Sequence, residues 1–168
     1  MKNPRILALV GTLLVLNLPA QTPPSPPPLP PESHQFDFWL GEWTVTNPAG
    51  KKAGESRIES IAAGSGLLEN WTGAGGGIGK SLNCWNPAKK QWQQFWVGAG
   101  GSVLELGGGL VGGNMVLSGE HDVGGQRTIE RITWTPNPDG SVRQHWEQST
   151  DGGKTWKTSF DGLYRKKA

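Results

Sequence analysis

From Trp43 to Arg165 the chain is a succession of short runs in which apolar and polar residues alternate, each ended by turn-forming residues. Period-two alternation places successive side chains on opposite faces of a β-strand, one toward a core and one toward water. The breaks fall roughly every eight to twelve residues, the rhythm of an antiparallel sandwich or barrel. Strands are predicted over 43–48, 54–62, 66–73, 79–86, 91–98, 102–108, 113–119, 126–135, 141–149 and 155–165. Asn47-Pro48-Ala49-Gly50, Asn86-Pro87-Ala88-Lys89, Asn137-Pro138-Asp139-Gly140 and Asp151-Gly152-Gly153 carry the proline φ or positive φ that tight turns require. Every link is short, so neighbouring strands should pair antiparallel in up-and-down order. About ten such strands close more naturally into one barrel than into two stacked sheets, because closure removes free edges. The expected fold is therefore all-β, with no helix beyond a turn near Phe36–Leu40. Composition agrees: 26 glycines and nine tryptophans, with few runs of helix formers.

The 168 residues divide into three parts. Residues 1–20 read as a secretory signal: Lys2 and Arg5 supply the positive start, Ile6–Leu18 the apolar stretch and Ala20 a cleavage end. That stretch is shorter than the ~20 residues a membrane helix needs, so no stable span is expected after cleavage. Leu18 is bulky for its place before the cut, which leaves an uncleaved anchor as the alternative. Residues 21–33 form a proline-rich linker, expected to be an extended spacer. Residues 34–168 are the barrel domain. The sequence predicts export to a periplasmic or extracellular location. Of 16 Lys and Arg, loss of Lys2 and Arg5 leaves 14 against 14 Asp and Glu. A neutral chain with no basic stripe gives nucleic acid nothing to grip. Oligomeric state is not legible.

The barrel domain opens with His34-Gln35-Phe36-Asp37-Phe38-Trp39-Leu40-Gly41-Glu42-Trp43-Thr44-Val45, which packs four aromatics around a glycine break before the first strand. Gly41-Glu42-Trp43 resembles the G-x-W opening of lipocalin and calycin barrels. The longer D-F-W-L-G-E-W string resembles a bacterial domain-of-unknown-function family (number 1579), with the likeness running from about Phe36 to Arg165. The resemblance implies an N-terminal helical turn closing one barrel end. It also implies that Trp43 packs there under a basic residue of the last strand, here Arg165. Nitrobindin-type barrels of this class hold haem through a histidine near the C-terminus, which would be His145. This chain lacks the further G-x-G that follows their opening motif, so no cofactor is expected.

Other motifs resolve to structure rather than chemistry. Ala74-Gly75-Gly76-Gly77-Ile78-Gly79-Lys80-Ser81 matches a permissive phosphate-binding loop, but Leu82-Asn83-Cys84-Trp85-Asn86-Pro87 after it alternates and stops at proline. No helix can begin there to complete such a site. Ser149-Thr150-Asp151-Gly152-Gly153-Lys154-Thr155-Trp156 matches the Asp-box hairpin, in which Asp151 caps turn amides and Trp156 folds over the loop. His34, His121 and His145 lack metal-binding spacing. Cys84 is the only cysteine and is read as a buried, inert thiol.

The tryptophan pattern remains. Trp92, Gln94 and Trp96 share one strand face; so do Ser81, Asn83 and Trp85; Glu69 and Trp71; and Gln144, Trp146 and Gln148. If these faces look inward, Glu69, Trp71, Asn83, Trp85, Trp92, Gln94, Trp96, Gln144 and Trp146 line the interior. An apolar wall bearing a few polar groups suits a small apolar or amphipathic molecule. The alternative is that the tryptophans fill the barrel and the amides bond one another. The opposite phase, with Leu82, Cys84, Phe95 and Val97 inside, competes for two strands. Three functions stay open: a carrier of a small, mostly apolar ligand; an enzyme using Glu69 as general acid or base, its pKa raised by burial; and a pocketless module binding protein or glycan through exposed tryptophans and the Gly-rich loops.

Overall fold

The structure is a computed structural model and describes residues 28–167. The expected leader and the first part of the proline tract lie outside the described residues. Ten strands run in sequence: β1 Gly41–Thr46, β2 Lys52–Ile61, β3 Gly66–Gly73, β4 Ile78–Asn86 and β5 Gln91–Gly98. They continue as β6 Val103–Val111, β7 Asn114–Val123, β8 Gln126–Pro136, β9 Val142–Ser149 and β10 Lys157–Lys166. Each pairs antiparallel with its successor, and β1 pairs with β10 to close the barrel. The expected all-β, up-and-down architecture is what forms. Single 3₁₀ turns occupy Pro31–His34 and Asp37–Trp39 before β1, and Ala62–Gly64 between β2 and β3.

The tryptophan-bearing phase faces inward. Gln94, Asn83, Ser81 and Glu69 are buried, whereas Leu82, Phe95 and Val97 are exposed on the outer wall. The competing phase also contains Lys80 and Glu105 on the same face, and their charges would have to leave water without partners. Cys84 follows that outer phase and is half-buried on the outside rather than in the core. None of the nine tryptophans is exposed, so of the two features expected of an interaction module only the exposed glycine-rich loops remain.

One end is sealed by the aromatic string. Phe36, Trp39 and Trp43 are fully buried, together with Trp92 and Trp134. Phe36 stacks on Trp39 at 5.0 Å and meets Trp92 and Trp134 edge-on at 5.6 and 5.1 Å. Trp43 Nε1–H donates to the Trp39 carbonyl at 2.9 Å, tying the first strand to the turn before it. Trp92 Nε1–H donates to the Glu32 carbonyl at 3.1 Å, and Ser33 is buried. Glu32 and Ser33, assigned to the spacer from sequence, thus pack as part of the plug. The cation over Trp43 is Lys166, 5.4 Å from the ring, and not Arg165. Trp43 lies opposite Lys166 in the β1–β10 register, and Arg165, one residue out of phase, points to solvent.

The glycine-rich phosphate-loop match is the β3–β4 hairpin turn, in which the Gly73 amide donates to the Gly77 carbonyl. In the Asp-box loop, Asp151 Oδ1 accepts the Lys154 and Thr155 amides at 3.0 and 2.9 Å, and Trp156 Nε1–H donates to the Gly153 carbonyl. The Arg131 guanidinium lies 3.8 Å over the Trp156 ring. Hydrogen bonds from the Thr155 hydroxyl and amide hold the Asp151 carboxyl down at about 2. Its contribution is therefore present above the ordinary aspartate range and lost only as pH falls through about 2. Asp151→Ala is expected to expose the Lys154 and Thr155 amides to hydrogen exchange at pH 5. The wild type should keep both protected down to about pH 3.

Candidate functional site

Opposite the plug, four aromatic side chains stand half-buried around the lumen: Trp71 on β3, Trp96 on β5, Trp146 on β9 and Phe160 on β10. Three of them rest on glycine. A Cβ at Gly54 of β2 would collide with the Trp71 ring, one at Gly79 of β4 with the Trp96 ring, and one at Gly162 with Phe160. The absent side chains give the indoles a flat seat against the sheet. A register irregularity between Thr158 and Phe160 sets the phase in which Phe160 lies opposite Trp146.

Beneath these rings lies a cavity of about 100 Å³. Leu104 and Ile132 add apolar wall, and its polar groups are Glu69, Gln94, Gln144 and Tyr164. Cross-strand register explains the grouping: Glu69 faces Ser81, Ser81 faces Trp96, and Trp96 faces Leu104 along one inner row of the sheet.

Glu69 is 3 % exposed. Its Oε1 accepts the Ser56 hydroxyl at 3.0 Å and its Oε2 the Ser81 hydroxyl at 2.9 Å. Behind Ser81 the donors form a chain: Gln94 Nε2–H to Asn83 Oδ1 at 2.7 Å, and Asn83 Nδ2–H to Ser81 Oγ at 2.9 Å. Such chains polarise one another toward the carboxylate. Burial nevertheless dominates and raises the Glu69 carboxyl to about 7, with the two serine hydroxyls pulling the other way. Tyr164 donates its hydroxyl to Gln144 Oε1. Burial, reinforced by the Glu69 charge, pushes its phenol well above the ordinary tyrosine value. A second buried carboxylate, Glu130 on β8, accepts Trp146 Nε1–H and, at 2.8 Å, Gln148 Nε2–H. His121 Nε2 lies 3.4 Å from it.

Of the nine residues expected to line the interior, Glu69, Trp71, Gln94, Trp96, Gln144 and Trp146 meet around this one cavity. Asn83 is fully buried one step behind it, holding Ser81 and Gln94. Trp92 is inward but belongs to the plug, and Trp85 is its cross-strand partner at that same end. Leu104, Ile132, Phe160 and Tyr164 complete the wall; their signal in the sequence is only that each alternates in phase within its own strand. His145 points outward, its Nε2 3.0 Å from the Thr158 hydroxyl and its Nδ1 3.7 Å from Glu147. No histidine lines the cavity, whose volume is far below that of a haem, so these residues do not fit that group. Compared with known proteins, the chain matches no family model and no curated sequence.

Proposed function

We propose that this chain is an exported β-barrel that holds a small, mostly apolar molecule with one polar end in the unplugged half of its lumen. The observation that carries the reading is the cavity itself: aromatic and aliphatic walls converging on the buried Glu69, with amides and a phenol beside it. Apolar lining with few fixed polar groups is the usual composition of a small-molecule site. At about 100 Å³ it would enclose a head group or a compact ligand, with any longer tail passing the rim. Support for the resemblance to calycin-type barrels comes from the ten-strand closure and from Trp43 under the opening turn. The export part of the reading rests on the leader-like composition of residues 1–20.

The rival use of Glu69 as a general acid or base has the same raised carboxyl in its favour. The cavity's other polar groups among the described residues are two amides and the Tyr164 phenol, which burial keeps protonated, with no second carboxylate across from Glu69.

Small apolar alcohols and amines titrated into the protein are expected to shift its tryptophan fluorescence. Trp96→Ala should weaken binding by about fivefold or more, since a lost aromatic wall is worth ~1 kcal/mol and upward. Trp156→Ala, outside the barrel, should leave binding unchanged. Native mass spectrometry of protein from its own host should show an added small mass. Equal affinities in the Trp96 and Trp156 variants would refute the lumen as the site.

A further inference from the structure

We infer that the polar end of the molecule held here is a cation, a compact protonated amine, for which Glu69 is the counter-ion. The inference rests on the cavity reading above and narrows it to a ligand class.

Three observations converge. Five aromatic rings border the space: Trp71, Trp96, Trp146, Phe160 and Tyr164. Ring faces carry a negative quadrupole and attract a cation that reaches within about 6 Å, most strongly where water is excluded. Second, among the described residues the lining contains no lysine, arginine or histidine that would repel a positive charge or pair with a negative one. A fatty-acid carboxylate would instead meet Glu69 as a like charge. Third, the two buried carboxylates differ in their partners. Glu130 has two N–H donors and a nearby imidazole. Glu69 has only two serine hydroxyls, which leaves acceptor capacity on both oxygens. A buried carboxylate is ordinarily matched by a positive partner. Among the described residues none stands at Glu69, and an ammonium entering between the rings would supply it.

The elements around Glu69 contribute Ser56 from β2, Ser81 from β4, Gln94 from β5, Ile132 from β8, Gln144 from β9 and Tyr164 from β10. Tyr164 alone among these titrates, and it stays protonated well beyond neutral pH. Glu130 and His121 sit off the lining, beside Trp146. Cation affinity should therefore rise with pH as Glu69 ionises near 7, and binding near neutrality should release a proton from it.

The test titrates tryptophan fluorescence with n-butylammonium, n-butanol and n-butyrate at pH 8 and pH 5.5, in wild type and in Glu69→Gln. At pH 8 the ammonium should bind wild type about tenfold or more tighter than the alcohol, with butyrate weakest. At pH 5.5 the preference should fall by roughly tenfold. Glu69→Gln should bind ammonium and alcohol about equally at both pH values. Alcohol binding as tightly as ammonium to wild type at pH 8 would overturn the cation inference and leave the cavity reading standing. No response to any of the three probes would sink both. A Glu69→Gln protein that keeps the preference would remove Glu69 as counter-ion; if that variant does not fold, the wild-type pH comparison decides.

Discussion

Trp43→Ala is expected to lower the stability of the barrel by about 3–5 kcal/mol, the cost of emptying a large, fully buried aromatic site. The side chain is 0 % exposed, faces Tyr164 at 6.3 Å, and donates its indole N–H to the carbonyl of Trp39. The substitution therefore opens a void and also orphans an acceptor in the turn that plugs the barrel. Urea unfolding followed by circular dichroism gives the number, with Lys166→Ala as the comparison. The Lys166 ammonium is the exposed partner over the same ring, and its removal should cost no more than ~1 kcal/mol. A loss below about 1 kcal/mol for Trp43→Ala would mean that the plug is not what holds this end closed.

The second large effect is a pH dependence that runs against the usual direction for a carboxylate. The Glu69 carboxyl titrates near 7 in the folded protein and near 4.5 when exposed. The folded state thus binds the extra proton between those values, and stability from this group falls as pH rises through the window. At ~1.4 kcal/mol per unit the loss approaches roughly 3 kcal/mol by pH 8. Glu69→Gln should flatten this dependence and should be more stable than wild type at pH 8, while differing little at pH 4.5. Paired unfolding curves at pH 4.5, 6 and 8 measure it. A wild type that gains stability from pH 6 to pH 8 relative to the variant would reverse the assignment. Under the cation inference, saturating butylammonium should recover much of the loss in wild type and none in the variant.

Strand positions were legible because alternation and turn chemistry are local. Asn47–Gly50 and Asn137–Gly140 end their strands where proline and positive-φ glycine demand it, Gly140 taking φ 78°. The largest shortfalls were at the ends of β6, expected to stop at 108 and running to Val111, and of β7, expected to stop at 119 and running to Val123. Gly107-Gly108-Gly109 looks like the end of a strand, yet it pairs onward to Val111 and Asn114. There a Cβ at Gly108 would overlap the Val116 carbonyl, so the sheet bends tightly and glycine is the residue that permits it. The candidate site was half legible for a related reason. Period two assigns a side chain to a face but not to a height along the barrel, and height follows from the register of strands far apart in sequence. Trp92 and Trp96 share a face, but the first joins Phe36 in the plug and the second lines the cavity. The Arg165 expectation failed by one residue because the resemblance to calycin openings implies only a basic position on the last strand, and phase decides between two adjacent cations. The Glu69 partners Ser56 and Ser81 carry no signal of their own, since an inward serine is distinguished only by what stands across the sheet from it.

The seats beneath Trp71, Trp96 and Phe160 place control of the lumen on the far side of its furniture. A single methyl group at Gly79, a position with ordinary backbone angles, would have to displace the Trp96 indole toward the barrel axis. Bore and selectivity in barrels built this way would then be adjustable by substitutions that never touch the guest, and a catalogue of contact residues alone would miss them.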